Sequence, residues 1–268
     1  RRPESGAFLG LAAMFAFFTV FGGLSLLTVG SIGAWMNIAA GLGIIAIPIG
    51  LLMIAGELDI SVGSMVPAGS MTTAIISGHY DLPIWLAIAA VFLLGIVVGL
   101  INGNLVVRTA VPSFIVTLGT LFAMAGFILG LSVIITGTTS VALTAPPLAK
   151  AIFGDLYFGK QFQVIIAWWL AAAATYIYFV HYSKYGNWIF AMGGDKESAR
   201  NAGIPTARLT ITLFVLSATS AAFVGMCQAI LFNSAQVSGG QSYIFNSIIA
   251  VVVGGVLLGA CAEVGQAL

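Results

Sequence analysis

The chain is built from apolar runs, and several of them reach the ~20 residues that a helix needs to cross a bilayer core. Strong runs occupy Phe8–Thr28, Met36–Ala55, Ile84–Ile101, Phe114–Thr136, Phe162–Phe179, Leu209–Phe232 and Tyr243–Ala262, and a weaker one ends near Ser77. Only 6% of the residues are charged, against about 25% in a soluble domain, so a water-soluble fold could not cover its surface. The short alternating segments of a membrane β-barrel are absent. The fold class is therefore an all-α polytopic membrane protein with about eight spans in one transmembrane domain, residues 1–268. The first run lacks a small-residue cleavage site and is expected to stay as a span.

The weak third span holds Ser61, Ser64, Pro67, Ser70, Thr72 and Thr73. It is too polar to face lipid, so it must line a cavity or pack inside the bundle. The second span contains Gly41, Gly43, Pro48 and Gly50, which predict a kink and close packing. Gly95, Gly99 and Gly103 recur every four residues in the fourth span, and Gly126 and Gly130 in the fifth, a spacing that lets helix backbones approach. Ser217, Thr219, Ser220 and Gln228 are candidate interior groups of the seventh span.

Charge concentrates in Met192–Arg208, which carries five charged residues in an apolar neighbourhood. Asp195 reads as an N-cap, Glu197 and Arg200 match the helix dipole, Gly203 suits a left-handed C-terminal position and Pro205 blocks continuation. Ala199 and Ala202, three apart, give one small smooth side. A helix this short needs something to dock on. It is either an ordinary solvated loop or a contact for a soluble partner.

Arginine and lysine set the orientation. With the N-terminus inside, Arg1, Arg2, Arg108, Lys184, Lys196, Arg200 and Arg208 are inside, and Lys150 and Lys160 outside. Residues 182–208 are then cytoplasmic and residues 137–161 lie on the opposite side.

The motifs of several chemistries are missing. There is no Gly-x-x-x-x-Gly-Lys-Ser/Thr phosphate loop, no His-Glu-x-x-His and no Gly-x-Ser-x-Gly elbow. Cys227 and Cys261 sit in apolar segments, and His79 and His181 lie far apart, so no metal site is expected. The carboxylates near bilayer depth are Glu57 and Asp59. Asp59 reads either as a pathway group or as a cap on the N–H of Ser61 or Val62. So few buried ionisable groups argue against a proton- or sodium-coupled carrier.

Three blocks carry a family resemblance: Gly56-Glu-Leu-Asp-Ile-Ser-Val-Gly-Ser64; Gly99-Leu-Ile-Asn-Gly103 continuing to Val111-Pro-Ser-Phe-Ile-Val-Thr-Leu-Gly-Thr120; and Gly193-Gly-Asp-Lys-Glu-Ser-Ala-Arg-Asn-Ala-Gly-Ile204. Ser234-Ala-Gln and Ala250-Val-Val-Val-Gly-Gly255 add a weaker fourth. In this order they resemble the permease subunit of a bacterial binding-protein-dependent ABC importer, in the ribose/simple-sugar branch.

The resemblance implies a vitamin B12-importer-like ABC permease fold of about ten spans in the bacterial inner membrane. It implies a transport subunit, not an enzyme, that passes a sugar or sugar-like solute by alternating access. Its partners would be a second permease chain, two cytoplasmic ATPase subunits, a periplasmic substrate-binding protein and membrane lipid, with no nucleic acid. This chain would hold no cofactor, and ATP and Mg would sit on the ATPase. The ATPase-coupling residues would be Gly194, Asp195, Lys196, Glu197, Ser198, Ala199, Arg200 and Gly203. The translocation path would draw on Asp59, Ser61, Ser64, Ser70, Thr73, Ser217, Gln228 and Asn246. Branched-chain amino acids or a furanosyl signalling molecule are alternative cargoes, and a stand-alone carrier or channel is an alternative mechanism. Three departures stand out. Glu57 replaces a frequent glycine, an acidic pair is missing around Tyr243–Asn246, and residues 259–268 read as a truncation or a join.

Overall fold

The computed structural model describes residues 4–109 and 111–254. Its helices are α1 Glu4–Gly22, α2 Val29–Ile54, α3 Val62–Ala74, α4 Ile84–Arg108, α5 Ser113–Thr136, α6 Pro147–Phe153, α7 Ile165–Tyr182, α8 Lys184–Gly194, α9 Lys196–Asn201, α10 Thr206–Phe232 and α11 Gln241–Val253. Four short strands lie between them: β1 Ser140–Ala142, β2 Leu156–Tyr157, β3 Phe162–Gln163 and β4 Ser234–Gln236. Among the described residues, α2, α4, α5, α7 and α10 are long and apolar enough to cross a membrane, while Leu9–Gly22 and Gln241–Val253 are shorter apolar helices.

The centre of the bundle is α10, packed most extensively on α4 and α3. Missing side chains make this possible. A Cβ on Gly95, Gly99 or Gly103 of α4 would overlap Thr219, Val215 or Ile211 of α10. A Cβ on Gly69 of α3 would overlap the backbone of Ala222, and one on Gly225 of α10 the backbone of Val66. Phe214, Ile45, Ile49, Met53, Met65 and Met71 fill the interior around these contacts. The other predicted pair behaves differently. Gly126 and Gly130 of α5 have nothing within 4 Å of the position of a Cβ, so they bring no helix of this chain close.

The polar third segment is buried at every residue of α3 except Thr72, as its composition requires. At 13 residues it rises only about 20 Å, short of a bilayer core. It begins from an irregular stretch at 55–61 and ends in a π-helical turn over Ile75–His79. It is a half-helix enclosed by protein.

The two ends of the bundle carry different furniture. At one end α8 and α9 cap the C-terminus of α2: a Cβ on Gly193 would overlap the carbonyl of Ile54. At the other end β1 pairs antiparallel with β4, Ser140 opposite Gln236, and a β2–β3 hairpin pairs Leu156 with Gln163. Asn37 of α2 clamps that hairpin, donating from Nδ2 to the Gln161 carbonyl at 2.9 Å and accepting the Gln163 N–H at Oδ1 at 2.8 Å. Residues 259–268 and Cys261 lie outside the described residues.

Candidate functional site

The charged stretch folds as its residues dictate. Asp195 is extended at φ −154°, and its side chain caps α9 by accepting the Glu197 N–H at 2.9 Å and the Ser198 hydroxyl at 2.5 Å. The Ser198 hydroxyl, and after it the N–H groups of Glu197 and Ser198, hold the Asp195 carboxyl below the usual carboxylate range. At the other end the Ile204 N–H reaches the Ala199 carbonyl at 3.1 Å and the Gly203 N–H reaches Arg200 at 3.0 Å, the paired bonds of a Schellman stop. Gly203 sits at φ +86°, which a side chain resists.

This small helix stands out from the end of the bundle. Gly194, Asp195, Lys196, Glu197, Ser198, Arg200 and Gly203 are all exposed. Ala199 is not: it is 5% exposed and packs into a cluster with Leu52, Ile189, Met192, Leu209 and Phe214, while Ala202 faces out. Ala199 anchors the helix, and the charged residues present it. The preceding helix α8 was not legible as a helix, because Gly186, Gly193 and Gly194 dilute its pattern.

A second relationship was missed outright. Lys196 Nζ lies 2.5 Å from Glu57 Oε1, across 139 positions of sequence. Glu57 is buried, and the Lys196 side chain is 44% exposed. The signal was present as an acid standing where the resembled family often has glycine.

The stretch Glu57–Ser61 is held on every side. The Ser113 hydroxyl accepts the Leu58 N–H at 3.0 Å, and the Thr117 hydroxyl accepts the Ile60 N–H at 3.3 Å. Asp59 Oδ1 accepts both the N–H and the hydroxyl of Ser61, at 2.9 and 2.6 Å. Asp59 thus closes a local turn ahead of α3, the cap reading. Asn102 Nδ2 donates to Ser61 Oγ at 3.0 Å, and the Thr120 hydroxyl donates to Asn102 Oδ1 at 2.5 Å. The first two sequence blocks therefore meet through side-chain hydrogen bonds. Ser113, Thr117, Asn102 and Thr120 were not singled out individually, although all four lie in the second block.

In front of this stretch α3, α5 and α11 enclose a cavity of about 420 Å³. Leu58, Ile60 and Ser64 form part of its wall, opposite Phe122 and Phe245. The eight residues expected along a path do not converge on it. Ser64 lines it, whereas Asp59 and Ser61 are buried behind its wall. Ser70 is buried on α3, and Thr73 donates back to the Gly69 carbonyl at 2.7 Å. Ser217 is buried on α10. Among the described residues its hydroxyl and Asp59 Oδ2 both lack a hydrogen-bond partner. Gln228 donates to the Tyr243 hydroxyl at 2.5 Å, and Asn246 is exposed outside the cavity lining. The reason is helical geometry: residues on one element turn about 100° per position, so polar type alone does not place them on one face.

Among the described residues no group of three or more His, Cys, Asp or Glu side chains could hold a metal. Cys227 is buried.

Known proteins match most of this chain. The family described as branched-chain amino acid transport system / permease component matches residues 31–264. The autoinducer 2 import system permease protein LsrD of Photorhabdus luminescens is 30% identical over 215 residues, covering 80% of this chain and 64% of its own length. The protein of the same name from Photorhabdus temperata is 29% identical, and that from Salmonella typhi 28%, each over 214 residues with the same shares covered. This chain thus spans about 64% of the length of the relatives it matches. No solved structure matches it. A match over residues 31–264 takes in the polar half-helix, its hydrogen-bonded approach and the capped surface helix together, and the chain belongs to the permease family of the branched-chain amino acid transport system type.

Proposed function

We propose that this chain is the membrane-spanning permease subunit of an ATP-driven importer, and that α9 is where the motor takes hold. The carrying observation is the build of α9: capped at both ends, seated by the buried Ala199, with Glu197, Ser198 and Arg200 exposed. Residues 182–208 form the cytoplasmic coupling loop on this reading, residues 137–161 face the periplasm, and the N-terminus is cytoplasmic. The bias of arginine and lysine supports that orientation. Two permease chains in the bacterial inner membrane would stand on two ATPase subunits that bind ATP and Mg, and a binding protein would deliver the solute. The full-length fold would have about ten spans of the vitamin B12-importer type, with alternating access as a rigid-body rearrangement of packed helices.

The cargo is proposed as a small sugar-like solute. Of the alternative cargoes, the relatives named for autoinducer 2 import favour the furanosyl signalling molecule over a branched-chain amino acid. The cavity wall is largely apolar, with Ser64 as one of few polar side chains. That suits a passage, which must release what it carries.

The test is retention of the ATPase subunits by the tagged full-length permease. The unaltered chain retains them, and the charge-reversed pair Glu197→Lys, Arg200→Glu inserts normally but loses them. Undiminished retention by that double variant would sink the assignment of α9.

A further inference from the structure

We propose that the Glu57–Lys196 ion pair is a positioning strut through which α9 drives the Glu57–Ser61 stretch and, with it, the wall of the cavity. The inference rests on the permease reading above and adds the route by which a push on α9 enters the membrane.

The geometry carries it from both ends. At the outer end Lys196 is the first residue of α9, fixed in direction by the Asp195 cap beside it. The apolar hold of α9 on the bundle is slight, since Ala199 is its one buried residue. One methyl resists separation but barely resists sliding. The charged contact at 2.5 Å supplies the missing directional hold, and it is the one salt bridge among the described residues.

At the inner end Glu57 opens the stretch that leads into α3. Gly56 precedes it at φ +81°, a conformation that lets the chain turn sharply out of α2. Beyond Glu57, alternate residues are tied to the cavity wall. Leu58 and Ile60 line the cavity while their N–H groups bond to Ser113 and Thr117 at the start of α5. Ser61 is tied through Asn102 to α4 and through Thr120 to α5. A displacement of Lys196 that carries Glu57 therefore moves α3, α4 and α5 together, because each link is a hydrogen bond between buried or half-buried groups, at 2.5 to 3.3 Å. Glu57 also explains why an acid can replace the glycine often found there in the resembled family: it has a fixed cation to meet.

A simpler role would be charge neutralisation alone, with Lys196 offsetting a buried carboxylate. The two roles separate in Glu57→Gln, which removes the charge and leaves a neutral side chain of the same shape. The experiment uses the full-length permease assembled with its ATPase subunits in lipid nanodiscs. Spin labels replace Phe122 and Phe245, both exposed and both on the cavity. Cys227 and Cys261 are replaced by alanine. The label distance is measured by pulsed electron resonance with and without ATP–vanadate.

In the otherwise unaltered complex the distance shifts on trapping. Glu57→Gln and Lys196→Met keep the ATPase bound but lose more than half of that shift. Lys196→Arg keeps it, and the swapped pair Glu57→Lys, Lys196→Glu restores it. A full shift in Glu57→Gln overturns the strut, as does a swapped pair that is monodisperse and ATPase-bound yet unmoved. If the unaltered complex binds its ATPase but shows no shift, the strut falls and the permease reading stands. If it retains no ATPase at all, both fall.

Discussion

Gly99 of α4 lies directly on the backbone of Val215 in α10, with no space for even one methyl between them. Gly126 of α5, at the same four-residue spacing, has open space where its Cβ would be. Two glycines that look alike in sequence thus predict opposite outcomes. Gly99→Ala should cost about 1–3 kcal/mol through overpacking, and Gly99→Leu should prevent a stable bundle. Gly126→Ala should leave stability unchanged or raise it by up to about 1 kcal/mol, since a helix gains from losing a glycine. Thermal unfolding followed by size-exclusion fluorescence would read both, and equal losses at the two sites would contradict the packing described.

Asp59 is fully buried, with one oxygen engaged by Ser61 and the other without a hydrogen-bond partner among the described residues. Asp59→Asn keeps the acceptor for Ser61 and brings a donor toward the unpartnered side, where the Ser217 hydroxyl is also unpaired. It should stay folded, within about 1 kcal/mol of the parent. Asp59→Ala strands the Ser61 N–H and hydroxyl in the interior and should cost about 2–4 kcal/mol. Chemical denaturation of the two variants side by side checks the order, and an Asn variant weaker than the Ala variant would refute it.

The cap of α9 should be visible in pH. The Asp195 carboxyl is held below its ordinary value by the Ser198 hydroxyl and by the N–H groups of Glu197 and Ser198. A depressed carboxylate contributes stability above its unfolded value, ~3.9, and loses that contribution as pH falls through the lower folded value. Amide protection in Glu197–Arg200, corrected for intrinsic exchange, should therefore be flat through neutral pH and decline in acid below about 4. Asp195→Asn, an equally good capping residue, should abolish the acid step and keep the helix. Asp195→Ala should lose protection at every pH.

Asn37 is the clamp on the hairpin at the far end, with both halves of its amide engaged. Asn37→Leu removes two hydrogen bonds and leaves the Gln163 N–H without its partner, at a cost of about 2 kcal/mol locally. Lys160 is already exposed but held in the turn, and opening of the hairpin should free its backbone to fit a protease, so tryptic cleavage after it should accelerate by about tenfold or more. An unchanged cleavage rate would mean that the clamp is redundant.

The outline of the bundle was legible because it rests on one-dimensional signals. Apolar runs of membrane length, a polar segment that had to be enclosed and a helix written out with its own cap and stop are all local patterns. Asp195, Gly203 and the glycines at 95, 99 and 103 could be placed from their neighbours in the chain alone. The site behind α9 could not. Glu57 meets Lys196 across 139 positions, and Asn102 meets Ser61 across 41. No periodicity reports such pairings. The residues expected along a path do not share one cavity for a related reason: Ser70, Thr73, Gln228 and Asn246 are all polar, but packing turned them towards different surroundings. Helix α8 escaped because its glycines serve close approach to Val180 and Ile54 and so weaken the very pattern that would announce a helix.

The 26-residue α2 is gripped at Asn37, about a third of the way along it, and overlaid by Gly193 at its C-terminal end. At about 1.5 Å per residue the stretch between these two holds is roughly 26 Å long. One continuous helix therefore joins the hairpin to the surface that carries α8 and α9, and a change in either hold bears on the same backbone.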